Sequence, residues 1–397
     1  MELALKDIRR HLGKFLATIV GVAMLLAIVL VMNGIYQGNI QDGVWLIDNT
    51  GADLWVVERG RGGPFNEASR IPLDSYKSVA ATPGVARASP LAFYTAQRKI
   101  NGVDQQFTLI GYDIFGGAGG PGRLVQGRAI AAPHYEMVAD SKLGLKLGDR
   151  VALGTDTYEV VGITSGAVDS GGNPLIYLSL ADAQKVQFQQ DNRAINAAAA
   201  ANLHRLDRAG YSAEQSARLL PLLAGGTDNI NAVLVTLAPG ADSDAVASRI
   251  RDWLYFNVYT TTEERDLMLE GKLSRMSAVL GLFRTLLVMV SIVIIALIVY
   301  VLTIEKIKSI ATLKLIGAPN SLIVRLIMTQ SMLLTLASFA LAYVLRDLIA
   351  PGFPRTLAFA AQATAITFAV MLVGGVLASL MAVWHAVRTP AQLALGG

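Results

Sequence analysis

Residues 15–36 read FLATIVGVAMLLAIVLVMNGIY, 22 positions without a charged side chain. At 1.5 Å of rise per residue, a helix of that length reaches about 33 Å, and the hydrocarbon core of a bilayer is about 30 Å thick. The run exceeds the roughly 7 to 15 residues of a signal-peptide core. No small-x-small cleavage site separates it from the polar stretch at 37–42, so it reads as an uncleaved anchor. Three more stretches pass the same test: Thr285–Ile304, Leu326–Leu345 and a span over 357–387. Composition agrees, because 53% hydrophobic and 16% charged residues with a mean hydropathy of +0.46 lie beyond an ordinary soluble domain.

The basic residues flanking these spans set the orientation, since Lys and Arg are retained on the cytoplasmic side. Lys6, Arg9, Arg10 and Lys14 precede the first span, Lys306, Lys308, Lys314 and Arg325 follow the second, and Arg388 follows the fourth. These groups share one side. The segment from Asp42 to Arg284 carries 23 Lys/Arg against 26 Asp/Glu and is therefore placed outside, with both termini inside. The expected fold class is an α-helical membrane protein with four transmembrane helices plus a large extracytoplasmic α+β domain.

Within the outer segment, 37–264, short β-rich runs alternate with turn clusters and helical patterns. Strands are expected at Asp53–Val57, Leu91–Arg98, Gln106–Tyr112, Val151–Leu153, Tyr158–Ile163, Leu175–Leu178, Ala232–Leu237 and Asn257–Thr261. Helices are expected at Pro72–Ala81, at Leu180–Gln190 after a Ser179 cap, and at Asp242–Tyr255. An Ala-, Gln- and Asn-rich stretch at 187–226 reads as an inserted helical hairpin. Residues 265–284 read as a stalk helix running unbroken into the second span.

No chemistry suggests catalysis. The chain has no G-x-x-x-x-G-K-[ST] phosphate loop, no G-x-S-x-G and no H-E-x-x-H, and it has no cysteine. Gly117–Gly122 matches G-x-G-x-x-G but lacks the strand–turn–helix context of a dinucleotide site and reads as a loop. The four histidines are scattered, and Glu263 and Glu264, adjacent on one helix, point about 100° apart and read as a solvated helix start. No catalytic residue, no metal site and no nucleic-acid surface is expected. The spans carry no acidic or basic residue of the kind an ion-coupled carrier keeps at midplane. Small residues at four-residue spacing, Ala23/Ala27, Gly374/Ala378 and Gly375/Ser379, allow close helix packing and association with a second copy.

Two cytoplasmic elements stand out. Residues 1–14 place Leu5, Ile8 and Leu12 at helical spacing among Lys6, Arg9, Arg10 and Lys14, the pattern of a basic helix lying on membrane lipid. Residues 305–325 form a short helical run closed by Gly317 and Pro319, with Asn320 or Ser321 as cap of the next helix. This run presents apolar residues on a water-facing loop, as an interaction surface does.

The stretch Glu305-Lys-Ile-Lys-Ser-Ile-Ala-Thr-Leu-Lys-Leu-Ile-Gly-Ala318 resembles the pattern E-R-x-R-E-I-G-x-L-K-A-I-G-A of MacB/FtsX-type ABC transporter permeases, with Ser309 at a position often acidic. Gly51-Ala-Asp-Leu-Trp55, Pro83-Gly-Val85, Leu147-Gly-Asp149, Val160-Val-Gly-Ile163 and Leu237-Ala-Pro-Gly240 resemble the periplasmic core domain of the same family. The resemblance implies a permease subunit in a bacterial inner membrane, acting as a homodimer with a separate ABC ATPase that binds ATP and Mg2+. It implies export or extraction of an amphipathic substrate such as a lipid, glycolipid, drug or peptide. A DevC-like branch would add a membrane-fusion adaptor and an outer-membrane duct. The alternative is an FtsX-like signal transmitter that activates an extracytoplasmic hydrolase. By the same resemblance, Ile310, Leu313, Leu315 and Ile316 would fill a groove on the ATPase, Glu305, Lys308 and Lys314 would pair with its rim, and Gly317, Ala318 and Pro319 would set the turn into the third span.

Overall fold

A computed structural model describes residues 12–65, 67–100, 102–187, 203–212, 215, 229–353 and 356–388. Lys6, Arg9 and Arg10, most of the 187–226 insertion, and the tail beyond Arg388 lie outside them. The principal helices are α1 (Leu12–Asn49), α2 (Ser75–Ala80), α3 (180–187), α4 (Ser243–Leu254), α5 (Thr261–Glu270), α6 (Lys272–Glu305), α7 (Ile307–Leu315), α8 (Asn320–Ile349) and α9 (Ala361–Arg388). The chain divides into a helical unit, formed by residues up to Asn39 and from Met276 onward, and an α+β unit, Ile40–Arg275.

Among the described residues of the chain, α1, α6 and α8 are long and apolar enough to cross a membrane, and α9 is apolar over Ala361–Leu377. The helices meet through a common core that includes Ala23, Leu26, Ala27 and Leu30 of α1, Ile295 and Val299 of α6, Ile327 and Leu334 of α8, and Met371 of α9. Small residues allow this approach: a Cβ built on Gly374 would stand 2.7 Å from Ile292 Cγ1. The Ser331 hydroxyl donates to the Gly375 carbonyl at 3.3 Å, and Ser379, which is fully buried, donates to Val376 O. The side chain of Ala378 lies outside those described. Ser291 and Thr335 likewise donate to carbonyls one turn earlier, so these hydroxyls serve packing.

Polar residues gather at both ends of the apolar segments. At one end Lys14 of α1 faces Glu305 of α6 at 3.5 Å. At the other, the Arg284 guanidinium lies 4.9 Å from the Tyr36 ring and its Nη1 donates to Asn33 Oδ1 at 3.4 Å. Arg346, one residue beyond the expected third span Leu326–Leu345, stands inside α8 and is buried between the rings of Tyr343 (3.9 Å) and Phe359 (4.3 Å) while pairing with Asp347. Aromatic faces attract the cation and shield its stem, which lets the helix continue past it.

The α+β unit is built on one sheet of order β12-β1-β11-β3-β4-β9-β6-β8-β5, with β7 against β8. The strands are β1 (Leu54–Val57), β2 (Ile71–Pro72), β3 (Val85–Ile100), β4 (Val103–Tyr112), β5 (Leu124–Gly127), β6 (Glu136–Asp140), β7 (Arg150–Leu153), β8 (Asp156–Thr164), β9 (Leu175–Ser179), β10 (Asn229–Ile230), β11 (Ala232–Leu237) and β12 (Asn257–Thr260). The 16-residue β3 is shared: residues 85–91 pair with β11 and residues 91–100 with β4. Pro90, which has no N–H to give, stands one residue before the pairing with β4 begins. Two cores result. One packs Leu54, Val233 and Val235 beneath α2 and α4; the other packs Phe107, Tyr158, Ile176 and Leu178 with Val186 of α3.

Two expectations are corrected here. The stalk is not one helix: Gly271 leaves helical geometry (φ −88, ψ −100) and separates α5 from α6. Glycine bears this break without steric penalty. The pair Glu263/Glu264 is not uniformly solvated. Glu263 closes a capping box with Thr260, accepting from its N–H at 2.8 Å. Glu264, rotated about 100° further, is fully buried with its carboxyl against Gly63, and neither oxygen has a hydrogen-bond partner.

Burial raises the Glu264 pKa to about 8 from 4.5. The folded chain therefore holds a proton that the unfolded chain releases, and stability falls as pH rises through that window. The loss is roughly 1.4 kcal/mol per pH unit at most. Thermal unfolding of the purified protein between about pH 5 and about pH 8 should show a declining midpoint that Glu264→Gln flattens. Equal slopes for the two proteins would contradict this burial.

Candidate functional site

The run at 305–325, expected from sequence to be cytoplasmic, begins with a short helix that lies on the helical core and closes with a glycine. After α6 ends at Glu305, Lys306 leaves helical geometry (φ −97, ψ 5) and α7 begins at Ile307. A helix against an apolar core must bury one stripe, and Ile310 and Ala311 supply it. Ile310 is only 3% exposed, so the expectation that it offers surface to a partner is corrected. Lys308, Ser309, Thr312, Leu315 and Ile316 face outward, with Ile316 79% exposed. Spacings of three, four and seven residues put these on one side of α7. Leu313 and Lys314 are half-buried at its flank.

The end of α7 is a Schellman motif. The Gly317 N–H donates to Lys314 O at 3.0 Å and the Ala318 N–H to Leu313 O at 3.0 Å, with Gly317 at φ +92. No atom lies near a Cβ built on Gly317, so backbone conformation alone requires glycine there. Pro319, not Asn320 or Ser321, is the cap of α8, and its carbonyl accepts from Leu322 N at 3.0 Å. Proline fixes an extended backbone at φ −69 that turns the chain without a side-chain cap. Glu305, Lys308, Leu315, Ile316, Gly317 and Pro319 thus share one exposed segment, with Ala318 half-buried beside them.

The α+β unit holds a second polar constellation that sequence reading passed over. Asp182, buried on α3, accepts from the Tyr135 N–H at 3.0 Å, and its other oxygen lies 2.8 Å from His134 Nδ1. Tyr135 is held at φ +67. Ser179 caps α3 as expected, accepting from Asp182 N at 3.2 Å. Nearby, Glu136 has its pKa lowered to about 2, first by the Arg128 hydrogen bond and then by the N–H groups of Ala131 and Ala132. These contacts fix the turn into β6. Among the described residues no three His, Cys, Asp or Glu side chains converge as a metal site.

A MacB-like periplasmic core domain matches residues 15–253, and an FtsX-like permease C-terminal region matches residues 281–391. The chain belongs to the MacB/FtsX-type ABC transporter permeases. It is 25% identical over 396 residues, 99% of each chain, to an uncharacterized ABC transporter permease of Mycobacterium bovis and equally to one of Mycobacterium tuberculosis. Among solved structures it aligns with the periplasmic region of MacB from Actinobacillus actinomycetemcomitans at 12% identity and TM-score 0.34, covering 54% of this chain and 92% of that one. It also aligns with the extracellular domain of the ABC-type transporter YknZ from Gram-positive bacteria at 12% identity and TM-score 0.31, covering 53% and 100%. As an ABC permease, the chain is a membrane subunit with an extracytoplasmic domain, is not itself an enzyme, and works with an ATPase partner.

The α7 turn generates a stability test. Gly317→Val forces a β-branched residue to a positive φ and should cost about 1–2 kcal/mol. Gly317→Asn, which tolerates the left-handed region better, should cost less, and Lys308→Gln should change stability by under about 0.5 kcal/mol. Thermal unfolding in detergent ranks the three; a neutral Gly317→Val would contradict the assigned turn.

Proposed function

We propose that this permease couples ATP hydrolysis by its partner subunit to movement of its periplasmic domain, exporting or extracting an amphipathic substrate. The observation that carries the reading is the outward stripe of α7. Leu315 and Ile316 are large apolar residues exposed on a helix whose opposite side is anchored by Ile310. Exposed apolar residues beside charged Lys308 and Glu305 suit a docking surface for the ATPase. Because α7 is pinned at Ile310 and its exit is fixed at Gly317 and Pro319, a push on it would be passed to α6 and α8 rather than absorbed.

In this reading α9 is the fourth crossing, both termini are cytoplasmic, and the membrane is the bacterial inner membrane. The ATP and Mg2+ belong to the ATPase. A second copy completes the permease, and a membrane-fusion adaptor with an outer-membrane duct would receive an exported substrate.

The test compares capture of the ATPase subunit by wild type and by the double variant Leu315→Asp/Ile316→Asp. Both positions are exposed, so the variant should remain folded while capture drops sharply; Lys308→Gln should weaken it by about 0–1 kcal/mol. Undiminished capture by the double variant would reject α7 as the docking surface. Adaptor and duct in the wild-type complex indicate export, whereas a cell-wall hydrolase in their place indicates signalling.

A further inference from the structure

Between α1, α6 and α8, at the end marked by Lys14, the helical unit contains a cavity of about 340 Å³. Its lining is mostly apolar, with Phe15, Val299, Leu302 and Leu334 interrupted by the polar Thr303, Gln330 and Ser331, and its mouth carries Lys14, Glu305 and Lys306. Lys306 stands seven residues from Val299, so the slot runs about 10 Å along α6 into the apolar layer. On α8 the lining runs from Ile327 to Leu334, seven residues or about 10 Å, the same length as along α6. A mostly apolar slot with two lysines and one glutamate at its mouth, at the end of membrane-spanning helices, suits an amphipath with an anionic head.

We propose that this slot binds an anionic phospholipid, with its phosphate at Lys14 and Lys306 and one acyl chain along Phe15, Leu302 and Leu334. Charge favours this occupant over the chain's own preceding segment. That segment carries Lys6, Arg9 and Arg10, the same sign as the mouth. The Lys14–Glu305 pair, 3.5 Å apart with side chains 68% and 48% exposed, is a weak surface contact that a phosphate can displace. Basic pockets between transmembrane helices recognise anionic headgroups by the same electrostatics. The lipid would touch Lys306, the residue between α6 and α7, and so would bias the angle at which α7 leaves the membrane. The inference requires that the helical unit lie in a bilayer but not that α7 bind an ATPase, so either idea can fail alone.

Native mass spectrometry of the full-length protein, equilibrated with phosphatidylglycerol or phosphatidylcholine, provides the test. Wild type should retain phosphatidylglycerol in preference to phosphatidylcholine. Lys14→Gln/Lys306→Gln should reduce phosphatidylglycerol retention roughly tenfold without changing phosphatidylcholine. Leu302→Trp, which fills the slot and leaves both lysines, should reduce retention of phosphatidylglycerol as well. Equal retention of the two lipids by wild type would overturn the proposal. So would a preference that survives the lysine substitutions and disappears on deletion of residues 2–11, because the basic segment would then be the binding element. Lys14 is exposed and Lys306 is half-buried at the mouth, outside the apolar core, so that arm holds even if Leu302→Trp fails to fold.

Discussion

A peptide group placed in hydrocarbon has no water to bond, so every backbone N–H and C=O crossing the bilayer must be satisfied within the segment. That constraint makes α1, α6 and α8 continuous helices through their apolar stretches and pushes irregular backbone to their ends. The breaks fall accordingly: Lys306 between α6 and α7, and Gly317 to Pro319 between α7 and α8. Polar side chains follow the same rule. Lys14 and Glu305 mark one end, and Tyr36, Arg284, Tyr343 and Arg346 mark the other. Ile310 ties the short helix α7 back into the apolar core and Ala311 is buried beside it, while the opposite side of α7 stays exposed.

What was legible in the sequence follows from signals that are local. Uncharged runs revealed the spans, alternation with turn clusters revealed most strands, and Gly317 before Pro319 revealed the end of α7. β3 proved longer than its expected Leu91–Arg98 because residues 85–90, with Arg87, Ser89 and Pro90 and no clear strand alternation, are held by pairing with β11, a partner about 150 residues away in sequence. The burial of Glu264 was illegible for the same reason: its carboxyl packs against Gly63, some 200 residues earlier. Ile310 and Leu315 are both apolar residues of one helix, and only the helix's rotation against the core decides that one is buried and the other exposed. Gly271 gave no warning, since a single glycine is tolerated within a helix.

The two halves of the α+β unit share β3, so strain on one core reaches the other through a single strand rather than through a linker. Asp182 adds a fixed point in the second half by holding both His134 and the positive-φ Tyr135. A unit built in this way suits movement as a body. The family assignment implies an ATPase partner, and α7 carries two large exposed apolar side chains, Leu315 and Ile316, which the proposed reading assigns to that partner.

The most direct measurement is a distance between the periplasmic domain and the membrane helices across the ATPase cycle. The chain has no cysteine, so Asp104→Cys and Leu322→Cys provide unique positions for spin labels. With the ATPase subunit bound in lipid nanodiscs, pulsed electron paramagnetic resonance should show the distance distribution shifting between the nucleotide-free and ATP-trapped states. The shift should disappear when Leu315 and Ile316 are replaced by aspartate. Identical distributions in the two nucleotide states, with the ATPase verified as bound and active, would contradict the account.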